Sequence, residues 1–480
     1  MTTEQLLQLA PDDMVKAVVD NNPIKEANLK IETWRGEYDG TKHAVADIAK
    51  RPDKLIGTGT TTKLIPVARN VVTLQKKIVR MAVSFLLGNP PTLSLESDPA
   101  TTGNAFWELK NAWKKSKLRY FNKRLMRDVC IETHAAELWY TKTNPDYKPG
   151  SDVSQLTLGV ILLSERTGNK IYPYFDEYGD MVAFARDYET KETGDDGQEK
   201  KVRNVHIYTA VKTIFLRKAG DGAWEVQKTP NPIGKIPVIY YRQEKPEWAD
   251  VQNLIDQLEK TVSDHSDTNA YFASPAVKSK GKLLNAPDKG EIGKFFQLAP
   301  EKSVDGKTEW GDIEYMTWDQ TPESLQLEID NLKEFIYSMT STPDISFNNV
   351  KGLGTVSGIA LKLMFLDALL KSDEKAEIYG ECFDRRNNLL IAMLSALNTK
   401  LAKEFSELDV SVEFHDPLPG DISELIETLT TATGGEPIMS QESAVAKNPL
   451  VTDVTDEMEK IRDEASALKE LTGDSYGMPE

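Results

Sequence analysis

The sequence predicts an α+β protein in which helical segments flank a central run of antiparallel strands. Apolar residues recur at three- and four-residue spacing over much of the chain before residue 140 and after residue 246. Residues 155–242 instead carry β-branched and aromatic runs broken by turn residues. Because the 480 residues are 40% hydrophobic and 28% charged, we expect a folded protein of two to four domains.

Composition excludes several classes of protein. No apolar run reaches the roughly 18 residues that a membrane span needs, so we expect no membrane partner. Residues 1–8 lack a basic segment followed by an apolar one, which predicts synthesis and first residence in the cytoplasm rather than secretion. The two cysteines, Cys130 and Cys382, lie far apart, which predicts buried thiols and neither a disulfide nor a zinc site.

The first third of the chain predicts helices. An apolar helical pattern covers Lys63–Leu87 and ends at Gly88-Asn89-Pro90-Pro91, where glycine terminates a helix and two prolines prevent its continuation. A second helical, aromatic-rich pattern covers Phe106–Tyr140.

The central segment predicts an antiparallel meander. Links at residues 176–180 and 219–222 supply the Gly and Asp residues that tight hairpins need. The candidate strands are Leu156–Leu163, Ile171–Phe175, Met181–Tyr188, Val202–Thr209, Thr213–Arg217 and Ala223–Lys228.

Two helices are predicted after Pro246, with an excursion between them. The first has its apolar residues at three-and-four spacing from Trp248 to Val262. The second opens at Pro322 and carries a narrow seam formed by Leu325, Ile329, Leu332, Ile336 and Met339. Residues 271–320 between them are rich in Gly, Pro and Lys, with strand-like pieces at 294–298 and 313–318.

The rest of the chain predicts a loop, a long helix and an acidic end. Residues 342–355 hold one Pro and two Gly and form the loop, whereas residues 356–405 are helical with an interruption near Gly380. A strand follows at Val410–Phe414, and then short helices with Ser440 and Asp453 as N-caps. Residues 404–480 hold 19 acidic and 4 basic side chains, a net charge of −15, against −2 for the preceding 403 residues.

A short basic segment contrasts with this acidity, because 18 residues hold 8 cations and no acid. The cations are Lys110, Lys114, Lys115, Lys117, Arg119, Lys123, Arg124 and Arg127. Such a segment binds an acidic partner or phosphate, or else forms a solvated helix face or a subunit contact. The last two interpretations are favoured.

No catalytic, cofactor or metal signature is complete. The segment from Gly57 to Leu64 approaches a P-loop but has Thr62 and Leu64 where the second Gly and the hydroxyl are needed, so a polar loop before a helix starting near Leu64 is favoured. Residues 352–358 approach a dinucleotide fingerprint but lack its third Gly and a preceding strand. His134 with Glu132 and Glu137 lacks the second His of a zincin helix. We therefore predict that the protein is not an enzyme and that it binds neither a cofactor nor a metal ion.

The order of the segments resembles tailed-phage portal proteins, and most closely the type of long-tailed Bacillus phages. The resemblance runs over about residues 25–470 and rests on an ordered series of weak motifs. These are the apolar run that ends at Gly88–Pro91, Phe184–Tyr188, the strand-rich stretch Val205–Val226, Asn231–Val238, Ser357–Lys362 after a glycine-rich loop, Leu418-Pro419, Ile438–Ala444 and Asn448–Val451.

The resemblance implies a portal fold whose subunits form a ring, expected to be dodecameric, at one capsid vertex, with double-stranded DNA passing through its channel. The implied parts are an N-terminal arm (1–24), a wing (25–246), a first stem helix (247–270), a clip (271–321), a second stem helix (322–341), a tunnel loop (342–355), a long wing helix (356–405) and a crown with an acidic tail (406–480). The clip would face the terminase large subunit and later the head–tail adaptor. The implied location is the virion, after assembly in the host cytoplasm.

Two sets of residues become candidates through this resemblance. Asn348, Asn349, Lys351, Gly352 and Gly354 would narrow the channel and touch DNA phosphates, or would pack between subunits. Lys114, Lys115, Lys117, Arg119, Lys123 and Arg124 would contact neighbouring subunits, scaffold or the major capsid protein. The competing class is an enzyme, either a nucleotide-driven packaging motor or a nuclease, and the incomplete P-loop disfavours the motor.

Overall fold

The computed structural model describes residues 3–20, 22–56, 62–145, 148, 155–193, 199–220, 222–272, 277–280, 282–285, 295–302, 308–309, 311–315, 322–345, 362–417, 422–434, 437–448, 450–451 and 454–473. The chain divides into two compact units. The first contains Met1–Ser346 and Asp367–His415, and the second contains Phe347–Leu366 and Asp416–Glu480.

Helices and antiparallel strands both contribute to the described residues, which confirms the α+β class. The helices there are α1 (Thr3–Gln8), α2 (Pro11–Val15), α3 (Lys25–Asp39), α4 (Leu74–Leu87), α5 (Pro99–Lys115), α6 (Leu118–Glu132), α7 (Gln252–Phe272), α8 (Pro322–Met339), α9 (Leu366–Leu397), α10 (Ala402–Glu407), α11 (Ile422–Thr433), α12 (Gln441–Lys447) and α13 (Val454–Gly473). The strands there are β1 (Lys54–Ile56), β2 (Lys63–Ile65), β3 (Thr92–Leu95), β4 (His134–Thr143), β5 (Leu156–Leu163), β6 (Lys170–Phe175), β7 (Met181–Thr193), β8 (Glu199–Tyr208), β9 (Lys212–Ala219), β10 (Glu225–Pro230), β11 (Val238–Arg242), β12 (Val277–Lys280), β13 (Glu301–Lys302), β14 (Thr308–Glu309), β15 (Asp312–Tyr315) and β16 (Val410–Glu413).

Five of the six strands predicted for the meander form a five-stranded antiparallel sheet in the order β10-β9-β8-β7-β6. The prediction was wrong for Leu156–Leu163, which pairs with β4 in a separate sheet. Alternate residues of β8 and β9 point to one face, where Val205, Ile207 and Leu216 are buried. The N-terminal helices cover this face by burying Leu6 and Val18 against it. Residues 3–20 therefore pack on the sheet.

A strand replaces the end of the helix predicted over Phe106–Tyr140. Helix α6 ends at Glu132, where Thr133 adopts φ 69° and its N–H bonds the Val129 carbonyl. The chain then continues as β4 in the middle of a three-stranded sheet, β11-β4-β5. Ala136 and Trp139 on opposite faces of β4 are both buried, so the strand lacks the polar alternation that would have distinguished it from a helix.

The helix predicted over Lys63–Leu87 is also shorter than expected. Residues 63–65 form β2, and the chain stays extended until α4 begins at Leu74. Pro66 disfavours a helical conformation for the residue before it. Backbone N–H groups of residues 68–72 bond side chains of α7 instead of forming helical bonds.

The long helical pattern of residues 356–405 is broken at a different place from the one predicted. Helix α9 runs through Gly380 without interruption, and the break falls at Asn398. A glycine in a helix interior costs about 1 kcal/mol relative to alanine. Burial of the neighbouring Tyr379 and Phe383 outweighs that cost. Residues 356–361 lie outside the described residues.

The predicted strand at Val410–Phe414 is confirmed as β16, which pairs with β3 in the first unit. In the second unit, α11, α12 and α13 follow one another, and the Ser440 side chain caps α12 by accepting the Ser443 N–H at 3.1 Å. The predicted N-cap Asp453 lies outside the described residues. The main core of the first unit joins α4–α9 to the three-stranded sheet.

Candidate functional site

The two predicted helices after Pro246 pack side by side as α7 and α8. Ile255 and Leu258 of α7 and Leu332 and Ile336 of α8 belong to one buried cluster. Thr261 adds a hydrogen bond from its hydroxyl to the Glu328 carboxylate at 3.2 Å. Between the helices, β12 pairs with β15 and β13 pairs with β14. The chain thus leaves the core along α7 and returns along α8.

An ion-pair cluster fixes the segment that leads into α7. Glu247 accepts from Lys371 and Lys375 of α9, and its own N–H bonds the Cys130 carbonyl. Burial opposes ionisation of Glu247, but the attraction of Lys375 and Lys371 outweighs it and holds the pKa of this carboxyl below its usual value. The start of α7 is therefore tied electrostatically to the long helix.

An extended strap, residues 66–73, lies along α7. The N–H groups of Val72, Asn70 and Ala68 donate to the side chains of Glu259, Ser263 and Asp267. Every second strap residue meets every fourth helix residue because two extended residues and four helical residues advance by similar distances, about 6 to 7 Å. Arg51 reinforces the contact with bonds to Asp264 and Asp267, both at 2.8 Å.

His43 links α7, which binds the strap, to α3. Its Nδ1 lies 2.6 Å from the Glu259 carboxylate and its Nε2 lies 2.5 Å from the Glu37 carbonyl oxygen. Since both partners are acceptors, the ring donates from both nitrogens as an imidazolium. Burial lowers the pKa of His43, but the hydrogen bonds to Glu259 and Glu37 and the negative charges of Glu259 and Asp256 leave it raised overall.

A second buried ion pair joins the long helix to the three-stranded sheet. Arg386 of α9 binds Glu137 of β4 through two nitrogens, at 2.8 and 2.7 Å, and both side chains are fully buried. Arg386 also donates to the Tyr241 hydroxyl at 3.0 Å. The guanidinium lies 4.3 Å from the ring centroid of Phe383. Helix α9 therefore cannot shift against the sheet without separating these charges.

The predicted tunnel-loop residues Asn348, Asn349, Lys351, Gly352 and Gly354 lie outside the described residues. The approach to the loop is described as far as residue 345. Ser341 adopts φ 48°, Lys371 bonds the Thr340 carbonyl at 2.8 Å, and Lys77 pairs with Asp344 at 3.0 Å. The end of α8 is thus held by a residue of α9 and a residue of α4.

The basic segment covers the outward sides of α5 and α6 and the two-residue turn between them. Lys123 is the exception, since it bonds the Gly88 carbonyl at 3.0 Å. The other seven cations are exposed, and none forms an ion pair with a carboxylate of the described residues. We call them the basic surface: Lys110, Lys114, Lys115, Lys117, Arg119, Arg124 and Arg127. Two large aromatic side chains lie among them, Trp107 at 61% and Tyr120 at 62% exposure.

The residues considered for metal or nucleotide chemistry have structural partners instead. Glu132 binds Arg35 and the backbone N–H of Glu165, while Glu137 binds Arg386 and His134 binds Asn28 at 2.9 Å. Burial, with the positive charge of Arg242, lowers the pKa of His134 to about 4, so the ring is neutral. The part of the chain that the structure describes contains no group of three or more His, Cys, Asp or Glu residues suited to a metal ion.

The P-loop-like segment also lacks the expected local structure. Residues 57–61 lie outside the described residues, and Lys63 begins β2 rather than a helix. A P-loop needs a helix N-terminus directly after its lysine to bind phosphate.

Among the described helices, none has the length and hydropathy of a membrane-spanning segment.

Comparison with known proteins assigns the family. A model of the family described as phage portal protein, SPP1 Gp6-like, matches residues 27–470. The chain belongs to the phage portal protein family. This confirms the resemblance that the ordered motifs indicated. The portal protein of Bacillus phage SPP1 is 22% identical over 295 residues, which cover 57% of this chain and 56% of that protein. The portal-family chain thus spans just over half the length of this curated relative.

Sequence reasoning missed the two buried pairs. His43 and Glu259 are separated by 216 residues, and no local pattern links them. Arg386 left a detectable signal, because it follows Cys382 and Phe383 at helical spacing and precedes Leu390 on the stripe of α9 that is buried. An arginine on such a stripe indicates a buried counter-ion elsewhere in the chain.

Proposed function

We propose that this chain is the subunit of a portal ring at one vertex of a phage capsid. Double-stranded DNA would enter the capsid and later leave it through the central channel. The observation that carries this proposal is the family match, which extends over residues 27–470. The subunit would be a structural component of the virion, assembled in the host cytoplasm, and not an enzyme.

The parts of a portal subunit can be proposed from the order of the elements. Helices α7 and α8 would form the stem (247–270 and 322–341), and residues 271–321 the clip. Residues 1–24 would form the N-terminal arm, 25–246 the wing, 342–355 the tunnel loop, 356–405 the long wing helix, and 406–480 the crown with its acidic tail. This assignment is supported by the packing of α7 against α8 and by the short paired strands between them.

The proposed partners follow from this role. The clip would bind the terminase large subunit during packaging and the head–tail adaptor afterwards, and the wing would meet major capsid and scaffold proteins. DNA would pass without sequence specificity. Neutral or negative channel walls would suit such passage, because each phosphate contact by Lys or Arg releases counterions and adds affinity that would oppose sliding.

Electron microscopy of the purified protein tests the proposal. We expect negatively stained particles to be rings with a central hole, and mass photometry to give about twelve copies of a 53.7 kDa chain. The same preparation should not hydrolyse ATP. A uniform monomer without rings, or ATP turnover that follows the protein through purification, would contradict the proposal.

The tunnel loop provides a test in infected cells. We expect Lys351→Glu, and separately deletion of residues 352–354, to shorten packaged DNA and lower phage yield, since both changes alter the loop proposed to contact phosphates. Lys50→Glu, an exposed lysine outside the proposed loop, is the charge-matched control. Packaged length measured by pulsed-field electrophoresis is the readout. Wild-type length and yield in both loop variants would reject a role for the loop in DNA passage.

A further inference from the structure

The positive charges of the basic surface are not neutralised by carboxylates within the described part of the same chain. Seven exposed cations lie on α5, α6 and their turn without a carboxylate partner in the described residues. Trp107 and Tyr120 among them are more than half exposed. Tyr, Trp and Arg are the residues enriched at protein interfaces and at their energetically dominant positions. A surface of this composition is suited to bind an acidic protein surface that also offers apolar side chains.

The amino-terminal half of α9 carries a surface of that description. We call Asp367, Asp373, Glu374 and Glu377 the acidic surface. All four carboxylates are exposed, and none forms an ion pair with another described residue. The lysines of the same half, Lys371 and Lys375, are turned inward to Glu247 and are only 19% and 13% exposed. The outward face of this helical segment is therefore negatively charged.

Apolar side chains accompany the carboxylates of the acidic surface. Leu370 is 52% exposed and Ile378 is 41% exposed, and both lie at helical spacing from the acidic residues. The acidic surface thus offers exposed apolar side chains, beside its carboxylates, on which an aromatic side chain of a partner can pack.

We propose that the basic surface of one subunit binds the acidic surface of a neighbouring copy, with Trp107 and Tyr120 packing against the exposed apolar residues of α9. This inference rests on the proposed ring. The two surfaces lie on different elements of the chain, so the contact is heterologous, and repetition of a heterologous contact produces a closed ring or a filament.

Duplex DNA is the other polyanion that could meet the basic surface, and the observations favour a protein. A duplex keeps its bases stacked inside and presents mainly phosphate and groove edges, so exposed Trp and Tyr side chains gain little from it. The acidic surface satisfies the charge and also covers the aromatic side chains. The carboxylates of the acidic surface also need cationic partners, and DNA bound to the basic surface would not supply them.

Charge reversal on each surface tests the proposal. Variant one carries Lys114→Glu, Lys115→Glu, Lys117→Glu and Arg124→Glu, which leaves three cations and four acids on the basic surface. Variant two carries Asp367→Lys, Asp373→Lys, Glu374→Lys and Glu377→Lys, which makes the acidic surface positive. We expect each alone to raise the concentration of half-maximal ring assembly about tenfold or more, because the two facing surfaces then carry net charge of the same sign. Combining all eight changes in one chain, or mixing the two variants, restores opposite net charges across the contact and should restore rings. Mass photometry at about 150 mM salt is the measurement, since the Debye length there is still about 8 Å.

The controls separate the possible outcomes. Lys50→Glu with Lys142→Glu, Lys170→Glu and Lys212→Glu makes the same charge change as variant one at exposed lysines elsewhere and should assemble as wild type. Circular dichroism melts verify that each variant is folded. Wild-type assembly of variants one and two, or failure of the eight-change chain to assemble while folded, would overturn the proposal. Normal rings of variant one that have lost affinity for a short DNA duplex would assign the basic surface to DNA instead. A wild-type chain that remains monomeric would reject the proposed ring and this contact together.

Discussion

Replacing Arg386 with methionine is expected to cost about 3 to 5 kcal/mol of folding stability. The substitution removes the partner of Glu137, which is fully buried and would remain as an uncompensated charge between β4 and α9. It also removes the donor to the Tyr241 hydroxyl. Methionine fills much of the arginine volume, so the loss reports on charge rather than on a cavity. Guanidinium denaturation followed by circular dichroism, at one protein concentration for all variants, is the measurement.

The adjacent residue supplies a matched control. Arg385 pairs with Glu381 on the surface of the same helix, and both side chains are at least 60% exposed. Arg385→Met should therefore change stability by less than about 0.5 kcal/mol. The double variant Arg386→Met with Glu137→Leu should recover much of the loss, because an apolar pair replaces the ion pair without leaving a charge. Equal losses of folding stability in Arg385→Met and Arg386→Met would show that the buried ion pair contributes no more than the exposed one.

Local patterns predicted most elements correctly where one face of the element is solvated. Two hairpins of the five-stranded sheet, β6–β7 and β9–β10, have their links at the predicted turns, where Gly179 and Gly220 adopt positive φ. The seam of α8 is confirmed at Leu332 and Ile336, which are buried, but Met339 is 59% exposed. A periodic pattern therefore identifies the helix and does not determine how far along it the packing partner extends.

Elements defined by distant contacts were not predictable. The strap looks helical in sequence, but its N–H groups are taken by α7 side chains about 190 residues away. Strand β4 is buried on both faces and so shows no two-residue alternation. In both cases tertiary contacts, which no local window contains, override intrinsic propensity.

The contact predicted for the basic segment stays a prediction, although the structure shows where its cations lie. The cluster of cations was evident from the sequence, and their exposure on α5 and α6 agrees with a solvated or contacting helix face. The acidic surface on α9 was not evident from the sequence, because Lys371 and Lys375 alternate with its carboxylates and offset half of their charge. Only the structure shows that these two lysines turn inward to Glu247 and leave the outward carboxylates unopposed.

The stability of the strap contact should fall as the pH rises, because it depends on a protonated histidine. The pKa of His43 is raised above its ordinary value of 6.5 in the folded chain. A group whose folded pKa is raised contributes its full stability below the unfolded pKa and loses it as the pH passes the folded pKa. We therefore expect wild-type stability to decline as the pH rises from about 6.5 through the folded pKa of His43.

His43→Gln isolates this contribution, because glutamine keeps a hydrogen-bond donor but cannot carry the charge. The variant should be less stable than wild type near pH 6, and the difference should shrink as the pH rises. His134 and His206 do not interfere in this range, since burial and neighbouring arginines lower the pKa of each to about 4. Amide hydrogen exchange at Val72 and Asn70, whose N–H groups bond Glu259 and Ser263, provides a local readout. Exchange there should accelerate with pH more steeply in wild type than the intrinsic chemical rate. A difference in folding stability between wild type and His43→Gln that does not change with pH would mean that His43 acts in its neutral form and that Glu259 is held by the strap alone.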